Sequence, residues 1–311
     1  MDIVTHGITG VLVARALPSG DKGSVMAAGL IGALAPDLDA IARLWDPMAA
    51  ITVHRTATHS FLGGGIIALG VAGLVWALVR ENFRRLLLAA YLGVVSHIVS
   101  DLLTSFGTAF LWPISDRRFA LAQHYLVDPI FSALAFGFLI ASFRFREKRI
   151  TWVKLGLTGM MLYVFVAAGS HEMAASRWRG FIESQGIRPI RFAVVPLFPG
   201  PLRWLGVAET EDAFYQQIFW LHGTTLEALR LFPKNHDGFS QLDDLREVKS
   251  FLKFARFPWR QIWNDGPYSV VEYRELAFAD HPLGIMGGPL SLRIWIDKAN
   301  SVKKVEFGHR F

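Results

Sequence analysis

Residues 86–103 read LLLAAYLGVVSHIVSDLL, an apolar run of membrane grade that ends on an imidazole and a carboxylate, His97 and Asp101. On a helix, positions four apart lie one above the other, about 6 Å apart along the axis, so both side chains reach one point. An ionisable pair inside such a segment is costly and marks a functional site by default. Two readings fit the pair alone: a hydrogen bond between packed helices, or two ligands of one metal ion. The other polar motifs decide between them.

Outward from this run the chain continues in the same style. Residues 61–79 form a full-length span carrying Gly63, Gly64, Gly65, Gly70 and Gly73, which suits close helix packing in lipid. Residues 130–143 and 153–168 read as two further spans. The segments 5–17 and 23–35 each cover only about 20 Å, short of the ~30 Å hydrocarbon core. They fit a thin hairpin, a re-entrant pair or the ends of longer helices. Residues 36–59 carry Pro36 and Pro47 and read as a loop or interfacial segment. Met1-Asp2 is acidic, and His6 and Arg15 interrupt the first apolar stretch, so the first helix is expected to be retained rather than cleaved.

The 311 residues are 52% hydrophobic, high for a soluble protein, and the excess lies almost wholly in residues 1–170. Residues 171–311 read like an ordinary soluble sequence. Strand patterns occur at 191–195 (stopping at Pro196), 268–273 and 292–297, with turn chemistry at Asp265-Gly266-Pro267. Residues 211–219 and 242–254 read as helical. The expected fold is an α-helical polytopic membrane domain (1–170) holding a metal site, followed by a small soluble α+β domain (171–311) with an antiparallel sheet. The net charge of +6 is accounted for by basic loops, and no nucleic-acid partner is expected. The absence of cysteine excludes disulfides, thiol catalysis and Cys-ligated zinc.

Basic residues give the orientation. One set of loops holds nine (Arg15 and Lys22; Arg80, Arg84 and Arg85; Arg144, Arg146, Lys148 and Arg149), and the opposite set holds four (Arg43, Arg55, Arg117 and Arg118). The richer set belongs in the cytoplasm, which puts the C-terminal domain outside. The same alternation returns His6, residues 36–60, Asp101, Asp128 and His171 to the outer ends of their spans.

Those motifs carry the chemistry. Asp37 and Asp39 sit two apart, and acids so close call for a cation or an arginine; a capping or turn role is the other reading. His54, Arg55, Thr58, His59 and Ser60 precede the span at Phe61, where a hydroxyl caps the helix and Arg55 offers a fork for phosphate or carboxylate. His124 and Asp128 repeat the four-residue spacing, although Asp128 before Pro129 also fits an N-cap. His171-Glu172 reads as an interfacial pair. Imidazoles and carboxylates without thiolates suit zinc, manganese or iron better than calcium or magnesium, and the number of candidates allows more than one ion.

In order, His6, Pro36-Asp37-Leu38-Asp39, His54-Arg55, Thr58-His59-Ser60, Ser96-His97, Asp101, Thr104, Gly107, Trp112-Pro113 and Asp128 resemble the YdjM/YbcI-type family of membrane-bound metal-dependent hydrolases over residues 1–145. The resemblance implies an inner-membrane protein with metal-dependent hydrolytic activity and leaves the substrate open. More distantly, the set is similar to zinc-dependent phospholipase C and the related single-strand nucleases, where His6, Asp37, His59, His97 with Asp101, and His124 with Asp128 would match the ligands. Those enzymes carry a further histidine where this chain has Leu102 to Gly107, which argues against a three-metal centre.

The expected function is a membrane-embedded metal-dependent hydrolase working at the outer face on a phosphoester or another lipid-like anionic substrate. His6, Asp37, His59, His97, Asp101 and Asp128 are the metal candidates. Asp39, His54 and Arg55 are the catalytic candidates, Asp39 and His54 as further ligands or orienting groups and Arg55 as the anion binder. The alternative is a non-catalytic membrane protein: a metal or ion transporter, or an assembly that binds a partner. Hydrolysis of phosphodiester reporters against metal uptake into vesicles separates the two.

Overall fold

The computed structural model describes residues 1–223, 227–234, 239–278 and 290–308. The chain divides into two compact units. The first comprises Met1–Ile41, Val53–Glu172 and Phe198–Pro201, and the second Ala42–Thr52, Met173–Leu197 and Leu202–Phe311.

The first unit is helical. Its elements are α1 (Ile3–Arg15), α2 (Gly23–Leu34), α4 (Phe61–Val79), α5 (Phe83–Leu102), α6 (Pro129–Arg144) and most of α7 (Arg149–Ser184); the single-turn α3 (Ala49–Thr52) belongs to the second unit. Among the described residues, four helical stretches are long and apolar enough to cross a membrane: Gly23–Leu44, Phe61–Val79, Phe83–Leu102 and Arg146–Ser184. α1 and α6 are apolar but shorter.

Two features differ from expectation. The chain does not unwind at Pro36; it tightens into a 3₁₀-helix over Ala35–Leu44 and lengthens the short second segment. Pro fits the first turn of a helix, where its missing N–H has no partner to lose. A 3₁₀-helix repeats every three residues, so Leu38, Ile41 and Leu44 fall on one exposed face, while Asp37 and Asp39 fall off it. The last span is also far longer than 153–168, because α7 runs unbroken to Ser184.

Glycine sets how near the helices approach at two places. A Cβ on Gly93 of α5 would run into Gly29 O of α2, and one on Gly10 of α1 would meet the same carbonyl. One turn beyond Gly29 and Gly93 stand Ala33 and His97. In α4, by contrast, Gly70 and Gly73 have open space where a side chain would be, so they do not bring helices together as their composition implied. Away from the polar motifs, Arg15 donates to Ser142 O at 2.7 Å and Arg149 to Leu17 O at 3.1 Å, tying α1, α6 and α7 together by helix-end carbonyls.

The second unit is the expected antiparallel α+β region; among the described residues it has two four-stranded sheets. The first has the order β1 (Arg191–Leu197), β2 (Arg203–Glu209), β3 (Ala213–Trp220), β4 (Arg230–Pro233), and the second β5 (Pro258–Asp265), β6 (Tyr268–Glu275), β7 (Ser291–Ile296), β8 (Val302–Phe307). β1 continues through Pro196 because it is an edge strand, where a missing donor costs nothing. The helix expected at 211–219 is instead β3. Its sequence AFYQQIFW is aromatic and largely buried on both faces, as an inner strand requires. The helix expected at 242–254 is present as α8 (Arg246–Phe254), preceded by a 3₁₀ turn, and Phe251 packs on Tyr273 and Phe307.

Candidate metal centre

Four side chains from three elements converge on one point. Asp37 comes from the 3₁₀-helix after α2, His59 from the turn Ala57–His59 before α4, and His97 and Asp101 from α5. His59, His97 and Asp101 are fully buried. Their ligand atoms close a ring: Asp37 Oδ1 to His59 Nε2 3.3 Å, His59 Nε2 to Asp101 Oδ2 3.5 Å, Asp101 Oδ2 to His97 Nε2 3.4 Å, and His97 Nε2 to Asp37 Oδ1 3.5 Å.

The ring fits a cation. A tetrahedral ion with bonds of about 2.0–2.1 Å has ligand edges of roughly 3.3–3.4 Å. His97 Nε2 and Asp101 Oδ2 are buried with no hydrogen-bond partner, a costly arrangement that a metal ion at the centre of the ring resolves. Two imidazoles and two carboxylates suit zinc better than the oxygen-seeking alkaline earths.

Neighbours fix which nitrogen faces the ring. His97 Nδ1 lies 2.7 Å from Ala33 O; a carbonyl only accepts, so Nδ1 carries a proton there and Nε2 is the nitrogen turned to the ring. This contact exists because Gly29 and Gly93 bring the two helices together one turn earlier. On His59, Nδ1 lies 2.9 Å from Thr58 Oγ1 and 3.3 Å from Asp39 Oδ2, and Thr58 Oγ1 donates to that same carboxylate at 2.5 Å. His54 Nδ1 holds Asp39 Oδ1 at 2.7 Å. Asp39, His54 and His59 form a second cluster of possible ligands, but both oxygens of Asp39 are already engaged. Asp39 and His54 therefore stand as orienting groups behind His59, the usual support for a metal-ligating histidine. Burial pushes the His54 imidazole below its ordinary value, against the opposing pull of Asp39.

Asp101 divides its two oxygens. Oδ1 takes Arg55 Nη2 at 2.9 Å and the Met1 amine, which leaves Oδ2 for the ring. Arg55 also donates from Nη1 to Thr104 Oγ1 at 2.8 Å and is buried. The residue read from sequence as an anion fork thus holds a ligand in place. His6, fully buried, stacks on His97 with ring centroids 3.7 Å apart, and its Nε2 lies 3.3 Å from Asp101 Oδ1 without hydrogen-bond geometry. It stands at the edge of the cluster as a further donor.

Asp128 lies outside both groups. It caps α6 by accepting from Ile130 N and Phe131 N at 3.1 Å, takes the Tyr163 hydroxyl at 3.0 Å, and sits 3.1 Å from His124 Nδ1. His171 pairs with the exposed Glu172 at 3.5 Å. The sequence reading missed Arg118, which donates to His54 O at 2.9 Å and to Gly107 O at 3.4 Å. Burial and the charge of Arg55 push Arg118 down to about 10, with Asp39 pulling the other way, so it stays a cation at neutral pH. Its only signal in the sequence was the pair Arg117-Arg118, counted there as loop charge.

The YdjM inner membrane protein family matches residues 1–174. The chain is also 32% identical over 109 residues to the uncharacterized protein YfhP of Bacillus subtilis (strain 168), an alignment covering 34% of this chain and 33% of that protein. No solved structure matches it. The family match takes in over half of the chain and every side chain of the buried cluster; the chain belongs to the YdjM inner membrane protein family.

Proposed function

We propose that this protein is a metal-dependent hydrolase of the inner membrane, acting at the extracytoplasmic face on an anionic ester, with a phosphoester as the first class to test. The observation that carries the reading is the closed ring of Asp37, His59, His97 and Asp101, whose spacing suits one zinc ion. A divalent ion held there supplies Lewis acidity to an ester oxygen.

The chain's own groups do the rest. Asp39, Thr58 and the Ala33 carbonyl hold the imidazoles in the ligating tautomer, and Arg55 keeps Asp101 turned toward the ring. Arg118, close enough to Arg55 and Asp39 to feel both charges, supplies the cation for the substrate's anionic group. The basic loops that carry Arg15 and Arg149 face the cytoplasm, and the second unit lies outside.

The test is metal quantitation on purified protein beside His97→Ala and Asp101→Ala, followed by hydrolysis of phosphodiester reporters. About one ion per chain, lost in both variants together with hydrolysis, supports the reading. Unchanged metal content in both variants overturns the site. Accumulation of metal inside vesicles without hydrolysis replaces the enzyme by a transporter.

A further inference from the structure

The motif Trp112-Pro113 takes no part in the metal cluster. It lies in a loop where Leu111, Trp112, Pro113 and Ile114 are four consecutive exposed apolar residues, Ile114 at 91%. An exposed apolar run of this kind is unfavourable in water and marks a contact surface. The four residues form the tip of a hairpin. Its arms are bridged by two backbone hydrogen bonds between Thr108 and Phe119, at 2.9 and 3.0 Å. Within the tip, Trp112 N donates to Ala109 O at 3.0 Å and Ile114 N to Leu111 O at 2.9 Å, so the turn is closed on itself.

What lies against the tip follows from where the hairpin is fastened. Phe61 N donates to Phe110 O at 3.1 Å, and the two rings meet edge to face with centroids 5.7 Å apart. Phe61 is the first residue of α4, whose 19 residues rise about 28 Å, close to the ~30 Å of hydrocarbon core. A span with no length to spare has its ends at the two edges of that core, Arg80 beyond one and Phe61 at the other. Leu62 and Ile66 are exposed and continue the lipid-facing surface onward from Phe61. The tip begins one residue past Phe110 and is thus held where acyl chains give way to headgroups. An indole suits that layer, and exposed Arg117, 5.2 Å from the Phe119 ring, adds a cation to the same hairpin.

The arms are not a free flap. Ala109 N donates to Arg55 O at 3.0 Å, and Arg118 donates to His54 O at 2.9 Å. The hairpin is therefore fixed to the residues that support the metal cluster on one side and to the start of α4 on the other.

We infer that residues 111–114 are a membrane-surface anchor, seated in the interfacial lipid layer at the Phe61 end of α4. The inference rests on the membrane location and not on the hydrolase reading. A protein partner requires no placement at the end of a span, whereas lipid is already present there.

The chain has no cysteine, so single introduced thiols report one site each. Ile114→Cys and, separately, Leu111→Cys are labelled with nitrobenzoxadiazole in the full chain, in phosphatidylethanolamine–phosphatidylglycerol vesicles. Gly73→Cys, in open space within α4, is the deep reference, and Lys298→Cys, exposed in the turn after β7, the aqueous one. Both tip probes should be quenched about threefold more by lipids carrying a nitroxide at the headgroup end of the acyl chain than by lipids carrying one near its tail, the order expected for a group about 5–10 Å deep. The Gly73→Cys probe should show the reverse order, and the Lys298→Cys probe should respond to aqueous iodide alone. Iodide quenching of the tip probes equal to that of Lys298→Cys overturns the inference. So does a blue-shifted tip probe that neither iodide nor nitroxide lipid reaches, which would assign the tip to a protein partner. Efficient disulfide formation between copies of unlabelled Ile114→Cys also overturns it and would assign the tip to a second copy.

Discussion

His97 Nδ1 donates to Ala33 O at 2.7 Å across two helices whose backbones touch one turn away, at Gly29 and Gly93. Helix spacing and ligand orientation are thus one property. Gly93→Ala, which alters no ligand, should strain the α2–α5 contact by about 1–3 kcal/mol and displace His97 from the ring. Thermal unfolding and metal quantitation on the same sample check both effects. Full metal content with a lowered unfolding temperature would uncouple them.

On the proposed reading, Asp39 acts behind His59 rather than as a ligand, since both of its oxygens are already engaged. Asp39→Asn should weaken metal affinity by about 10–100-fold without abolishing it, and Thr58→Val should move it in the same direction. Competition with a chelator of known affinity measures the change. A loss as complete as that of His97→Ala would make Asp39 a direct ligand.

Arg55 is the partner of a buried carboxylate. Arg55→Met leaves Asp101 Oδ1 with the Met1 amine alone and should cost up to about 3–5 kcal/mol, the range for breaking one side of a buried pair. Arg55→Lys should not restore stability, because one ammonium cannot reproduce the two-pronged hold on Asp101 and Thr104. Unfolding of metal-free protein separates this loss from any loss of the ion.

In the second unit, Glu272 has Arg293 Nε and Arg274 Nη2 at 2.9 Å and accepts from Gln261. Burial pushes its carboxyl up, but the hydrogen bond and charge of Arg293, with Arg274 and Gln261, outweigh burial and lower it below the ordinary 4.5. The folded state therefore binds this proton less readily than the unfolded chain. The stabilisation is present above about 4.5 and is lost as pH falls through the lower folded value. Buried Glu275 is raised and carries the opposite sign, so the useful reading is a difference. The gap in unfolding temperature between wild type and Glu272→Gln should be widest near neutral pH and close on acidification.

The residues of the candidate cluster stand out in the sequence because their signal is local. The four-residue step from His97 to Asp101, the Asp37–Asp39 pair and the histidines before Phe61 each stand out against apolar neighbours. The roles of Asp39, Arg55 and Arg118 were not legible, because each depends on which oxygen another side chain has already taken. The carbonyl of Ala33 carries no sequence signal at all. In the fold, the apolar spans at 61–79 and 86–103 followed from hydropathy. The identity of β3 did not, since AFYQQIFW becomes a strand only when neighbours cover both of its faces. The 3₁₀ continuation after Leu34 was hidden for a similar reason: Pro36 reads as a stop until the chain beyond it is seen to coil more tightly.

Every atom that closes the ring is an imidazole nitrogen or a carboxylate oxygen. Neither climbs the ladder from thiolate to sulfenic and sulfonic acid that dismantles cysteine sites. A centre made this way has no thiolate to lose under disulfide-forming conditions, and needs no thiol reductant to keep its donors in place.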